Sequence, residues 1–451
     1  MERTENKIYP LDSSAVIHLA SRREDYTNSF RISVTLTEDV RPSILQKALD
    51  HIRADFPTII AGIRRGKFQY EVVPADSSPL VRLDREYLAC MDEEMIRSCA
   101  MRVLYREKQI AVEIFHALTD GYGGLIFVRA LVMEYLFLKH GVTIGKTGIK
   151  CLEERGDGEG EVRDDFLTYA GTKTASFNHR KVYCLTESCG KEGQKNIVTT
   201  GIYEVKEILD IAHSFGVSLT TFLTAVMVSS VIEMETNSRR PEEYEPIQIM
   251  VPVNLRRKFK SSSIRNFSLY ALPCVRTSEF LQPFQTLVTK INGQLKQQLS
   301  REHLAGMIST NVRLQKMRII RDIPLNIKES VLRLCFRYFG ERNSCLTLSN
   351  LGEVSFPEEV QSYVERVELI LSPRRNAPYN CGLTSYRGKL YINFIRRSGK
   401  GELERIFFQR LANLGCEGIV QLPDGSISVE STVGKGTVFS VVLPVSHQRG
   451  E

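Results

Sequence analysis

The chain has 451 residues, of which 42% are hydrophobic and 25% charged, and its formal net charge is +7. That length accommodates two or three domains at about 150 residues each, and the composition excludes disordered, collagenous and coiled-coil chains. The charge is mild, no nucleic-acid-binding motif is present, and neither the 10 cysteines nor the 8 histidines have zinc-ligand spacing, so neither a nucleic-acid partner nor a metal is expected.

The N-terminal segment MERTENKIYPLDSS lacks the apolar region of a signal peptide. The longest apolar stretches, Leu125–Leu138 and Leu219–Ile232, fall short of the run of about 20 residues that spans a bilayer. A cytoplasmic protein with free thiols and no stable membrane insertion is expected.

An N-terminal lobe is expected over residues 1–145. Phe30–Leu36 alternates as a strand, and Ile44, Leu45, Ala48, Leu49 and Ile52 recur at helical spacing within Arg41–Ala54. Phe68–Val73, Met101–Tyr105 and Gln109–Phe115 read as strands, and Tyr122–Lys139 as a long helix. Strands alternating with helices point to an α/β lobe. Residues 146–196 change texture. Glu153–Asp165 (EERGDGEGEVRDD) and Glu187–Asn196 are polar and aperiodic, as in a solvated crossover linker, and the acidic run lacks calcium-loop spacing.

A C-terminal lobe is expected over residues 197–410. Thr199–Val205 is a strand, Lys206–Phe215 a helix stopped at Gly216, and Ser218 caps a helix to about Thr236. Ile247–Val253 and Asn266–Arg276 follow as strands, then one or two helices over Phe280–Met317. Cys345–Ser349, Val367–Leu371 and a hairpin of Cys381–Ser385 with Leu390–Ile395 complete the lobe. The tail, residues 411–451, carries a hairpin of Ser426–Ser431 and Thr437–Leu443 that resembles the end of a histidine-kinase ATPase domain. The asparagine-bearing helix and D-x-G-x-G loop of such a domain are missing, so no ATP site is expected.

One segment concentrates chemistry: IFHALTDGYGG, Ile114–Gly124. It places His116 at a strand end, a rigid mount for a general base that titrates near neutrality. Asp120 is near enough to brace the turn, and Gly121, Gly123 and Gly124 permit close approach by another segment. His18, His51 and His213 lie in helical or loop segments and are expected to be structural or exposed. The basic cluster Arg256, Arg257, Lys258 and Lys260 reads as a solvated strand end or loop.

His116–Gly121 matches the HxxxDG core of the CoA-dependent acyltransferase superfamily, which includes chloramphenicol acetyltransferase, peptide-synthetase condensation domains and alcohol O-acetyltransferases. Phe115 stands where many members carry a further histidine. YPLDSS (Tyr9–Ser14) resembles the start of the alcohol acetyltransferase branch, and GVSLTTFLTAVM (Gly216–Met227) the helix that opens the second lobe. VPVNLRRKF (Val251–Phe259) with Asn266 and Phe267, and SNLG (Ser349–Gly352), resemble later family elements, so the likeness runs in order from about Tyr9 to Arg397.

The resemblance implies an α/β fold of two similar chloramphenicol acetyltransferase-like lobes, each a mixed sheet with covering helices, and an active-site tunnel between them. It implies His116 as general base, Asp120 as its structural support paired with an arginine, for which Arg256 is the candidate, and Gly121 in the same turn. Tyr122 and Gly124 become candidates to line the tunnel, and Ser349 and Asn350 to contact the oxyanion or the pantetheine arm. Arg256–Lys260 would attract the 3′-phosphate of CoA or the acidic surface of a carrier protein. The implied activity moves an acetyl or other short acyl group from acetyl-CoA, a co-substrate rather than a bound cofactor, to a small-molecule alcohol without an acyl-enzyme. Two alternatives stay open: transfer from an acyl carrier protein thioester to an amine or hydroxyl, and a non-catalytic binding protein of the same fold.

Overall fold

The computed structural model describes residues 7–22, 26, 28–66, 68–142, 158–175, 181–185, 195–278, 282–316, 325–335, 343–374, 377–397, 401–422, 425–432 and 436–442. The chain opens with β1 (Tyr9–Pro10), α1 (Val16–Ala20), β2 (Ser29–Leu36), α2 (Pro42–Ile52), β3 (Ala61–Arg65), β4 (Tyr70–Pro74) and β5 (Arg82–Leu83). Next come α3 (Glu93–Ser98), β6 (Met101–Arg106), β7 (Gln109–Phe115) and α4 (Gly121–His140). In α2, Pro42 suits the first turn, where its missing N–H is no loss, and Leu45, Ala48, Leu49 and Ile52 form the buried stripe.

A short α5 (Asp165–Tyr169) lies in the crossover, followed by β8 (Ile197–Glu204), α6 (Val205–Ser214), α7 (Leu219–Ser238), β9 (Ile247–Asn254), α8 (Arg256–Phe259), β10 (Ser268–Ala271) and β11 (Cys274–Val275). The chain continues through α9 (Phe284–Gln298), α10 (Arg301–Lys316), α11 (Leu325–Cys335), β12 (Leu346–Glu353), α12 (Glu358–Gln361) and β13 (Val364–Leu371). It ends with β14 (Tyr379–Tyr386), β15 (Lys389–Arg396), α13 (Glu402–Asn413), β16 (Gly418–Leu422), β17 (Gly425–Thr432) and β18 (Gly436–Val442).

Two large mixed sheets result, ordered β13-β2-β7-β6-β5 and β10-β9-β12-β14-β15-β8-β16-β17-β18, with β1-β4-β3 as a small third sheet. This is the expected two-lobed α/β architecture, but the lobes are not contiguous in sequence. β13, expected in the second lobe, pairs antiparallel with β2 of the first, from Val364 opposite Leu36 to Leu371 opposite Phe30. The first lobe's sheet therefore takes its edge strand from beyond residue 360.

Three further expectations are corrected. Asn266–Arg276 is not one strand: β10 and β11 pair separately with β9, and Pro273, which has no N–H to donate, lies between them. The boundary expected at residue 410 cuts through α13, and β16, β17 and β18 extend the second lobe's sheet outward from β8. Residues 158–170 are not a solvated linker, because Glu161, Asp165 and Phe166 are buried. Much of the remaining acidic run, from residue 153 to 157, lies outside the described residues.

Helices α4 and α7 each reach 20 residues, apolar enough to cross a membrane by length and composition, yet 67% and 78% of their apolar windows are buried inside the protein. Each is the central helix of its lobe, apolar on every side because protein surrounds it. Asp120 and Ser218 cap their N-termini, accepting from Gly123 N and Thr221 N.

Candidate active site

His116 follows the last residue of β7, and its amide donates to Asn28 O at 3.0 Å. Its Nδ1 lies 3.2 Å from Asn266 Oδ1. Asn266 is itself oriented: its Nδ2 donates to Asp12 Oδ2 at 3.3 Å and to Ala117 O at 3.4 Å. With the amide so directed, Oδ1 faces the imidazole, Nδ1 is the protonated ring nitrogen, and Nε2 carries the lone pair. Burial holds the His116 pKa below its ordinary value, opposed by its own backbone, Asp120 and Asn266. The ring is therefore neutral near pH 7, the state a general base requires.

Asp12 anchors this arrangement. It is fully buried, accepts from Asn266 N at 3.0 Å, and pairs with Arg265 at 2.5 Å. Burial, and Asp164 in second place among the raising influences, push its pKa up to about 7 against the Arg265 charge. The crossover supports the same loop: Ile264 N donates to Glu161 O at 2.9 Å and Ser263 Oγ to Arg163 O at 2.8 Å.

Asp120 sits in a buried cluster. Its Oδ2 accepts from Arg256 Nη1 at 2.9 Å and Phe267 N at 2.8 Å, while Oδ1 caps α4 through Gly123 N at 3.2 Å. Arg256 also donates to Ser263 O, Arg265 O, Asn254 Oδ1 and Phe267 O. The candidate pair thus joins the start of α4 to the loop that carries Asn266. Gly123 makes the approach possible, since a Cβ there would sit 2.0 Å from Ile264 O. Gly121 admits Leu351 of β12, whose Cδ2 would lie 2.8 Å from a Cβ.

The other candidates divide. Tyr122 is half-buried beneath the Arg256 guanidinium, 4.6 Å from ring centre to Cζ. Gly124 is buried, and the Phe30 ring occupies the space a side chain would need. Asn350 uses its side chain structurally, donating to Thr220 Oγ1 at 3.0 Å and accepting from Gly352 N at 2.8 Å. Ser349 lies on the exposed side of an alternating surface. Leu346, Leu348, Ile249, Val251, Leu269 and Ala271 are buried under the helices. Their neighbours Thr347, Ser349, Met250, Pro252, Asn254, Ser268 and Tyr270 are only half-buried. Because strand residues alternate between faces, these belong to one face of the second sheet, turned toward the first lobe.

Sequence reasoning missed the role of His18. Its ring stacks on His116, 4.2 Å between centroids and 14° between planes, while Phe30 meets His116 edge-on at 5.2 Å. Asn28 links the pair, its Oδ1 lying 3.3 Å from His18 Nδ1 while its carbonyl receives the His116 amide. Burial and the neighbouring His116 hold the His18 pKa well below normal. Asp12 and Asn266 were visible only as letters within YPLDSS and the Asn-Phe pair. The basic cluster is likewise split: Arg256 is buried and paired, whereas Lys258 lines a cavity of about 690 Å³ with His213, Ser218, Thr221, Asn292 and Lys296. That cavity lies at the base of α7 and does not include His116.

No family model and no curated protein matches the sequence. Solved structures do match its fold. Trichothecene 15-O-acetyltransferase TRI3 from Fusarium sporotrichioides is 11% identical, with a TM-score of 0.56 over 91% of this chain and 94% of that one. F. sporotrichioides TRI101, complexed with coenzyme A and T-2, is 10% identical, with a TM-score of 0.59 over 89% and 96%. The starter condensation domain of rhizomide synthetase RzmA is 13% identical, with a TM-score of 0.55 over 89% and 92%. The chain has the two-lobed fold shared by CoA-dependent acyltransferases and condensation domains.

Proposed function

We propose that the protein is an acyltransferase that moves a short acyl group, acetyl foremost, from CoA to the hydroxyl of a small molecule. The observation that carries this reading is the orientation of His116: a neutral imidazole at a strand end, its Nδ1 proton committed to Asn266 and its Nε2 lone pair meeting no donor among the described residues. Nε2 takes the proton of the acceptor hydroxyl as its oxygen attacks the thioester carbonyl. The tetrahedral intermediate collapses, the C–S bond breaks, and the sulfur leaves with the proton held on Nε2. Asn266 Oδ1 faces the transient imidazolium. General-base help of this kind is worth roughly 10²–10⁴-fold, and the remainder comes from positioning and oxyanion stabilisation. Ser349, half-buried on the facing sheet, is the candidate oxyanion donor, because Asn350 is committed elsewhere.

The donor's phosphates are assigned to the cavity of about 690 Å³, where Lys258 and Lys296 supply positive charge. Thr220, beside the cavity residue Thr221, joins the base of α7 to Asn350 and so to β12. The test is a thiol-release assay with acetyl-CoA over a panel of alcohols and amines, run on the protein and on His116→Ala. A fall of about 10²-fold or more is expected, and activity kept within about threefold rejects the base. Presenting the same acyl group on a carrier protein decides between the two thioester donors.

A further inference from the structure

Three deep arginines of this protein pair with carboxylates: Arg31 with Asp84 and Glu113, Arg256 with Asp120, and Arg265 with Asp12. Arg374 is different. Its guanidinium donates to two neutral hydroxyls, Ser344 Oγ at 3.0 Å and Thr347 Oγ1 at 3.5 Å, and no carboxylate pairs with it among the described residues. A half-buried guanidinium left with neutral partners retains most of its capacity for an anion.

Its position is set by backbone geometry. Leu371, the last residue of β13, pairs with Phe30, and Ser372 N donates to Ser29 O at 3.2 Å. Ser29 in turn pairs with Phe115, the residue before His116. Arg374 therefore follows at the same end of the first sheet as the candidate base. From the other lobe, Thr347 places it against the half-buried face that also carries Tyr270. Tyr270 has no hydrogen-bond partner for its hydroxyl among the described residues. Burial raises the pKa of Tyr270 and Tyr26, and the Arg374 charge opposes that rise in both. Tyr26 donates to Asn28 Oδ1 at 2.9 Å, which joins this corner to His18 and His116. Tyr270 is four residues along from Asn266, on the order of 10 Å at the rise of a strand.

We propose that Arg374 and Tyr270, walled by Tyr26, form a carboxylate-binding subsite where the two lobes meet, so that the acceptor is a hydroxy acid of moderate length. The proposal rests on the acyl-transfer reading for its meaning, but its binding test does not. An arginine can hold a carboxylate through two parallel N–H bonds, and the phenol adds a donor to the same anion. Lys258 and Lys296 at the base of α7 are assigned to the donor, which leaves Arg374 to the acceptor.

The test uses the whole protein with three matched probes, 3-hydroxybutyrate, 6-hydroxyhexanoate and 4-hydroxyphenylacetate, each against its methyl ester. Binding is read by ligand-observed NMR without acetyl-CoA, and thiol release is read with it. At least one acid is expected to bind about tenfold or more tightly than its ester. Arg374→Gln should erase that ratio, Arg374→Lys should keep part of it, and Tyr270→Phe should reduce it. Equal binding of acid and ester in every pair overturns the proposal, as does failure of all three acids to bind or a ratio that survives Arg374→Gln. A preference for succinyl-CoA over acetyl-CoA that disappears in Arg374→Gln overturns the acceptor assignment, placing the carboxylate on the acyl group. If acid binding behaves as expected while His116→Ala releases thiol normally, the subsite stands and the acyl-transfer reading fails.

Discussion

Asp120→Asn is the substitution whose consequences the structure specifies most closely. Asp120 and Arg256 are 3% and 4% exposed, and the aspartate accepts from three donors: Arg256 Nη1, Phe267 N and Gly123 N. Asparagine has one acceptor oxygen. If that oxygen caps α4, the amide NH2 faces Arg256 and Phe267, donor against donor. If the amide is flipped, the cap is lost instead. Removing one partner of a buried pair costs about 3–5 kcal/mol. Arg256 keeps Ser263 O, Arg265 O, Phe267 O and Asn254 Oδ1 as acceptors, which favours the lower end, about 3 kcal/mol. Urea unfolding at pH 7 measures this as a lower midpoint at unchanged slope. In a double-mutant cycle with Arg256→Met, the loss of the double variant should fall short of the sum of the two single losses by at least about 1 kcal/mol, because the two side chains interact directly. Because the pair fixes the loop bearing Asn266, thiol release should fall by on the order of 10–100-fold through misplacement of His116, with acceptor KM little changed. A single variant within about 0.5 kcal/mol of the parent, the range of ordinary surface changes, or a double variant no better than the sum of its parts, would refute this reasoning.

Other outcomes follow from the same geometry. A general base must be unprotonated and burial lowers the His116 pKa, so if His116 is that base the rate should rise with pH through a midpoint below about 6.5 and then level off; a midpoint above neutrality contradicts the proposed role. Asp12 has a folded pKa of about 7 against roughly 3.9 unfolded, so the folded state binds its proton more tightly. The stability this contributes is complete below about pH 4 and is lost as pH rises through about 7; Asp12→Asn should flatten that slope in urea midpoints between pH 4 and 8, and equal slopes would refute it. Gly123→Ala would put a methyl group 2.0 Å from Ile264 O, so a loss of about 2 kcal/mol or more is expected in the same assay, and an unchanged midpoint would show that the loop yields freely.

The local vocabulary of the site was legible in the sequence. His116 after an apolar strand, Asp120 as a helix cap, and a hairpin at Tyr386–Lys389 are decided by neighbours within a few residues. There, φ preferences, capping and alternation act directly. Even the Asp120–Arg256 pair was anticipated, although only through the family pattern. The rest depends on contacts between distant segments. Asn266 meets His116 across 150 positions and Asp12 meets Asn266 across 254. His18 reaches its stacking partner because α1 folds back over the end of β7. β13 is a strand by its own pattern, but that pattern does not specify which sheet it joins. Periodicity records which side of a segment avoids water; it contains nothing about which other segment will cover that side. The sequence by itself determined the strand that delivers His116, the Asp120 cap and the elements that hold them. The tertiary structure alone decided the hydrogen-bond partner of His116, its stacked neighbour and the place of Arg374, because each arises from contacts between segments far apart in the chain.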